Sequence, residues 1–148
     1  MEILKILILL LPFSINTQLY KNYHNLQKLK LEIEVSKIKN KGIIYIGIYN
    51  NEIDFNSNDT SKERLYNGIK ENVQKGNYNK EIFLDKGVYA IKIYIDKNYN
   101  NKFDFNIFGL PKEQYGFSNN VMNLFGPPDF DKALFILNDN KKIKINLR

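Results

Sequence analysis

The chain contains no cysteine. That absence excludes disulfides, thiolate metal sites, a cysteine nucleophile and a lipid-modified N-terminal cysteine. Tryptophan is also missing, so all the aromatics are Tyr and Phe. The single histidine, His24, lies in the lead-in before the first strand, where a solvated side chain is expected. Arginine occurs only as Arg64 and Arg148, and 20 of the 22 basic residues are lysines. These lysines are scattered singly between Asn and Ile rather than clustered. The net charge of +6 therefore reads as a solvated lysine-rich surface, not a nucleic-acid patch, because base reading and bidentate phosphate grips favour Arg. No stretch reaches the roughly 20 apolar residues that a membrane-spanning helix needs, so no transmembrane span is expected.

What is present begins with an address. An apolar run from Ile6 to Phe13, extended upstream by Ile3 and Leu4 and containing Pro12 near its end, is followed by Ser14–Gln18. It has the length and flanks of a secretory signal peptide. Residues 1–17 are read as that segment, with cleavage within Ser14–Gln18, and an exported protein is expected, periplasmic or extracellular. Residues 28–148 form one domain, which suits the total of 148 residues.

The mature chain is patterned with period two, which marks half-buried strands. Leu29, Leu31, Ile33 and Val35 share one face. Ile43 to Tyr49 is apolar on both faces, and with Asn40-Lys41-Gly42 as a turn the two runs are predicted to form a hairpin. Thr60-Ser-Lys-Glu63 has capping-box spacing, predicting a short helix around Ser61–Tyr66, and a weak strand follows near Ile69–Gln74. Glu81–Leu84 and Gly87–Ile95 flank a turn, and Tyr89, Ile91, Ile93 and Ile95 share a face. After a long loop region from Asp96 to about Lys132 come strands at Ala133–Leu137 and Lys142–Leu147. The fold class is all-β: an immunoglobulin-like or prealbumin-like β-sandwich of about seven strands with one long loop region. Its predicted core includes Leu31, Ile33, Ile46, Phe83, Ile91, Ile93, Phe135 and Ile145.

One loop carries candidate chemistry. Asp96, Asn98, Asn100 and Asp104 stand at relative positions one, three, five and nine, with the Lys102 carbonyl at seven. That spacing folds alternate oxygens onto a small hard cation, so Ca²⁺ is the candidate cofactor. Asn101 occupies the place usual for Gly, and Ile107 the place of the bidentate Glu. Glu113 would replace that acid only if the turn at Gly109-Leu110-Pro111 folds it over the loop. The alternative is a loop of Asx turns whose side chains bond their own backbone.

Downstream stand Gly109-Leu-Pro-Lys-Glu113-Gln-Tyr-Gly-Phe-Ser-Asn-Asn120 and then Phe125-Gly-Pro-Pro-Asp-Phe130, with Ala133 following. With the Asp96-x-Asn-x-Asn100 run, these segments resemble the exported bacterial family known as domain of unknown function 2141. The likeness covers about Leu29 to the C-terminus and is densest from Gly87 to Phe135. It implies an exported all-β domain, with Gly usual at the place of Asn101, and it implies no activity.

Function classes follow. Ser118 has no histidine to activate it. Glu113, Asp129 and Asp131 are candidates for a carboxylate pair acting on glycosides, although acidic loop residues are more often turn formers. A non-enzymatic binding or interaction module is the leading expectation, with a structural accessory domain of the envelope as the alternative. Tyr115, Phe117, Asn119 and Asn120 are the candidate ligand-binding residues, and an envelope protein or glycan is the expected partner. The loop aromatics Tyr99, Phe103, Phe105, Phe108, Tyr115, Phe117, Phe125 and Phe130 either form a recognition surface or pack the loop onto the sandwich end.

Overall fold

The computed structural model describes residues 28–57, 65–123 and 126–148, together with Thr17. The expected signal segment, Thr17 apart, and His24 and Phe125 lie outside the described residues. So does most of the helix expected around Ser61–Tyr66; of its residues, Leu65 and Tyr66 are described and are not helical.

Among the described residues there are eight strands in two sheets: β1 (Leu29–Ile38), β2 (Gly42–Tyr49), β3 (Asn67–Val73), β4 (Gly76–Leu84), β5 (Gly87–Asp96), β6 (Tyr115–Phe117), β7 (Phe135–Leu137) and β8 (Lys141–Asn146). One sheet has the order β4-β1-β8; the other runs β3-β2-β5-β6, with β7 also pairing β5. The chain is all-β. Two short helices, α1 (Glu52–Asn56) and α2 (Phe130–Ala133), and a 3₁₀ turn at Ser118–Asn120 sit in the connections. No helix among the described residues is long and apolar enough to cross a membrane.

The hairpin predicted from β1 and β2 does not form. β1 pairs antiparallel with β4 and parallel with β8, while β2 pairs with β3 and β5. Residues 39–41 carry the chain from one sheet to the other. The turns between β3 and β4, β4 and β5, and β7 and β8 also change sheet. Period-two patterning tells which side chains face the core, but the same faces are satisfied whichever strand lies alongside. A short turn therefore does not by itself distinguish a hairpin from an arch between sheets.

The core lies between the two sheets. Leu31, Ile33 and Val35 of β1 meet Ile44, Ile46 and Ile48 of β2, Ile91, Ile93 and Ile95 of β5, and Ile145 and Leu147 from the C-terminal end. Phe83, predicted to be core, is 58% exposed. On β4 it lies one residue from buried Leu84, so the pleat turns it outward, paired across the sheet with Lys30. The long loop region from Asp96 also contains more structure than expected. β6 and α2 both form inside it, and Ala133 belongs to α2 rather than to the following strand.

A second, smaller cluster covers the outer face of β5. Tyr49, Phe55, Ala90, Phe117, Phe130 and Ala133 are buried together there. Lys92 lies over the Phe55 ring, 4.5 Å from its centroid, and donates to the Phe55 carbonyl. Burial lowers the pKa of this ammonium. This cluster anchors the segment that returns from the long loop.

Candidate functional site

The 97–114 excursion leaves β5 at Asp96 and returns into β6 at Tyr115. Ile95 donates its N–H to the Gln114 carbonyl at 2.9 Å, so the excursion's two ends are held side by side. Gln114 also binds the other sheet. Its side chain accepts the Lys39 N–H at 2.6 Å and donates to the Lys37 carbonyl at 2.9 Å.

The first half of the excursion is a closed polar loop. Asp96 is fully buried. Its Oδ1 accepts the N–H of Asn100 at 3.2 Å and its Oδ2 that of Asn101 at 2.7 Å. Asn98 Oδ1 accepts from the Asn100 N–H at 3.3 Å, and Asn100 Oδ1 from the Lys102 N–H at 2.8 Å. These are Asx turns, in which short side chains cap the backbone two residues on. They bend the chain tightly enough to bring Tyr99 and Asn101 to φ of 63° and 62°. At position 101 this left-handed backbone suits Gly, and Asn tolerates it. Asn gives something glycine cannot: its Oδ1 accepts from the Tyr45 hydroxyl at 2.9 Å and the Lys70 ammonium at 2.8 Å, fastening the loop to β2 and β3.

Glu113 does fold back onto this loop. Gly109, at φ 76°, makes the intervening turn. The Glu113 carboxylate is buried and accepts the N–H of Lys97 at 3.1 Å and that of Asp104 at 3.4 Å. Its pKa is raised, first by burial and then by the charges of Asp96 and Asp104, against the lowering effect of those two backbone bonds. Three carboxylates thus repel one another in one place. Among the described residues no lysine forms an ion pair with any of them; Lys97 instead donates to the Lys112 carbonyl at 2.9 Å.

The donor types suit a hard cation, as does the charge. The arrangement is less favourable. Asn98 and Asn100 both turn their Nδ2 groups to Asp104 Oδ2, each at 2.8 Å. Lys102 contributes an exposed side chain and an N–H already bonded within the loop. Among the described residues no group of three or more His, Cys, Asp or Glu side chains is placed to hold a metal ion.

The second half of the excursion is an apolar tip. Phe105 and Pro111 bridge across its base. Above them Ile107, Phe108 and Leu110 are 93%, 81% and 61% exposed. Phe103 does the opposite. It packs against Tyr94, Phe105 and Tyr115, with centroid distances of 5.2, 4.9 and 5.8 Å. Of the aromatics noted in the sequence, Phe117 and Phe130 are buried, Phe103 and Tyr115 are half-buried, and Tyr99, Phe105 and Phe108 face outward. The exposure of Ile107 and Leu110 goes beyond what the sequence reading of the loop aromatics implied; their place in a short turn around Gly109 is the signal that carries it.

Tyr115, Phe117, Asn119 and Asn120 are brought together on β6 and the 3₁₀ turn after it, and the side-chain amides of the two asparagines are used internally. Asn119 donates to the Leu134 carbonyl at 2.7 Å and to the Lys132 carbonyl at 3.2 Å. Asn120 donates to Lys144 O at 2.9 Å and accepts from the Asn146 N–H at 2.7 Å. Phe117 and Asn120 border a cavity of about 80 Å³, together with Lys37, Gly116, Asn146 and Arg148. That volume holds a few waters, not a drug-sized ligand. Ser118 is buried between the Ile91 N–H, which it accepts at 2.9 Å, and the Ala133 carbonyl, to which it donates. Asp129 and Asp131 are exposed around α2.

The profile of one family matches residues 33–146, from Ile33 in the middle of β1 to the end of β8. The chain belongs to that family, described as uncharacterized protein conserved in bacteria (DUF2141). The match takes in the DUF2141 segments noted in the sequence, including the Asp96 loop, Glu113 and the Tyr115–Asn120 run. No curated protein and no solved structure matches the chain significantly.

Proposed function

We propose that this DUF2141 chain is an exported, non-enzymatic binding module of the cell envelope that uses the 97–114 excursion as its recognition element. The observation that carries this reading is the tip. Three large apolar side chains, Ile107, Phe108 and Leu110, project together from a turn whose base is held to both sheets. Exposed apolar groups grouped on a fixed support mark interaction sites more often than they mark packing. The export half of the proposal rests on the Ile6–Phe13 run. The finer fold proposal, an immunoglobulin-like or prealbumin-like sandwich, draws support from the two sheets enclosing one core of inward-facing residues.

The absence of enzymatic activity is supported by how the candidate groups are used. The Ser118 hydroxyl and the Glu113 carboxylate are both taken up in internal bonds. A weakly held Ca²⁺ at the Asp96–Asp104 loop is proposed as a stiffener of the excursion, supported by the unneutralised charges of Asp96, Asp104 and Glu113.

The test is sedimentation of the full chain with washed envelope fragments from a bacterium. The unsubstituted protein is expected to sediment, and the folded Ile107→Ser/Phe108→Ser/Leu110→Ser protein to stay in solution. Equal sedimentation of both, or of neither, defeats the reading and leaves a structural accessory domain as the better account.

A further inference from the structure

We infer that the 105–111 tip docks on a lipid surface, inserting Ile107, Phe108 and Leu110 between anionic headgroups. This deepens the binding-module reading and rests on it.

Shape favours a lipid over a sugar or a peptide. The tip is a projecting turn, whereas sugars and peptides are held in concave or groove-like sites. Two of its three apolar side chains are aliphatic and offer no ring to stack against a sugar. A convex wedge of Ile, Phe and Leu instead suits the boundary between headgroups and acyl chains, where apolar surface is buried without a complementary pocket.

Backbone accounting points the same way. A segment entering a water-poor interface must satisfy its own N–H groups. Asn106 donates its N–H to the Leu110 carbonyl at 2.8 Å, and Gly109 donates to the Asn106 carbonyl at 3.0 Å. The Asn106 Oδ1 accepts the N–H groups of Phe108 at 2.9 Å and Leu110 at 3.0 Å. Pro111 has no N–H to satisfy. Asn106 therefore closes the turn from inside: the N–H groups of Asn106, Phe108, Gly109 and Leu110 are paired within it, and of the tip's donors that of Ile107 is left to the headgroups or water.

Charge is segregated to match. Between Asp96 and Glu113 the ionisable side chains are three acids and three lysines, apart from the Tyr99 phenol. Asp96 and Glu113 are buried and Asp104 is half-buried, whereas Lys97, Lys102 and Lys112 are exposed. The segment is formally neutral, but the lysines are the charged side chains most open to solvent around the base of the tip. Lysines at that level, below an inserting apolar group, are placed for anionic headgroups and would lengthen the bound lifetime on an anionic surface.

The chain contains no tryptophan, so one introduced indole is a clean probe. Phe108→Trp in the full chain, mixed with vesicles of phosphatidylglycerol and phosphatidylcholine, is expected to shift its emission to the blue and to be quenched by brominated lipid. An indole introduced as Ile136→Trp, at a β7 position 57% exposed, is expected to do neither. That comparison removes any contribution from the apolar run near the N-terminus, which is common to both proteins. Replacing Lys97, Lys102 and Lys112 with Gln is expected to weaken partitioning by about a hundredfold, and high salt to weaken it likewise. Two results overturn the inference: no spectral change at position 108 with any vesicle, or equal change at 108 and 136. If the unsubstituted chain sediments with envelope fragments while the Phe108→Trp indole stays silent with lipid, the binding-module reading stands and the lipid surface is wrong.

Discussion

Glu113 lies beneath the loop and binds Lys97 through its backbone, the carboxylate accepting the Lys97 N–H at 3.1 Å across sixteen positions of sequence. Its second oxygen takes the N–H of Asp104 at 3.4 Å. One buried side chain thus holds both ends of the polar loop, while its charge adds to those of Asp96 and Asp104. Glu113→Ala leaves two backbone donors unpaired and is expected to destabilise the fold by about 1–3 kcal/mol. Glu113→Gln retains one acceptor and is expected to fall between. Urea unfolding measures the cost, and limited proteolysis within 97–112 should quicken in step. An unchanged urea midpoint would show that the loop closes without this side chain.

Calcium is expected to raise the unfolding temperature at millimolar concentration. Few charged ligands imply weak binding, with Kd of about 10⁻⁴–10⁻³ M. Binding to the folded state alone adds RT ln(1 + [L]/Kd), about 1.4 kcal/mol at ten times Kd. Thermal unfolding in Ca²⁺ against a chelator reads the effect, and Asp96→Ala and Asp104→Ala should abolish the response. If the unsubstituted protein melts alike in both, the loop is an Asx-turn scaffold and the cation proposal fails.

Position within a strand outweighs residue size in the core. Ile91 is fully buried, and Ile91→Ala is expected to cost about 2–5 kcal/mol. Phe83 is larger but faces outward, so Phe83→Ser is expected to change stability by no more than about 0.5 kcal/mol. Chemical denaturation of the two proteins side by side is the measurement. A larger loss at Phe83 than at Ile91 would contradict the assignment of faces on β4.

Acid should weaken the β1–β8 pairing. Glu34 accepts from Lys144 at 2.8 Å and Lys142 at 3.2 Å, and these lysines lower its pKa below the ordinary carboxylate value. A depressed folded pKa gives stability that is fully present above the unfolded value and lost as pH falls through the folded one. Stability should therefore decline below about pH 4.5, and Glu34→Gln should make that decline shallower. Denaturant midpoints from pH 7 to pH 2 check the slope. Identical slopes for the two proteins would mean that these ion pairs carry no linked stability.

Export is expected to leave a mature N-terminus within Ser14–Gln18, readable by mass spectrometry of envelope material. An intact Met1 on cytoplasmic protein would refute it.

Local chemistry was legible from the sequence alone. Alternation picked out Leu31, Ile33 and the Tyr89–Ile95 face of β5, because a pleated strand sends successive side chains to opposite sides whatever lies beside it. The Asp96–Asp104 loop was legible for a similar reason, since Asp and Asn bond their own backbone within a few residues. Even the return of Glu113 was readable as a condition on the Gly109 turn. Tertiary structure alone decided which strands are neighbours. β1 takes β4 and β8 rather than β2, and the same inward faces would have satisfied either pairing. It also decided between Phe103 and Phe108. Five residues apart in one excursion, one packs against Tyr94 and Tyr115 while the other is left 81% exposed. Burial depends on what distant segments bring within reach, and that information lies in no single stretch of the chain.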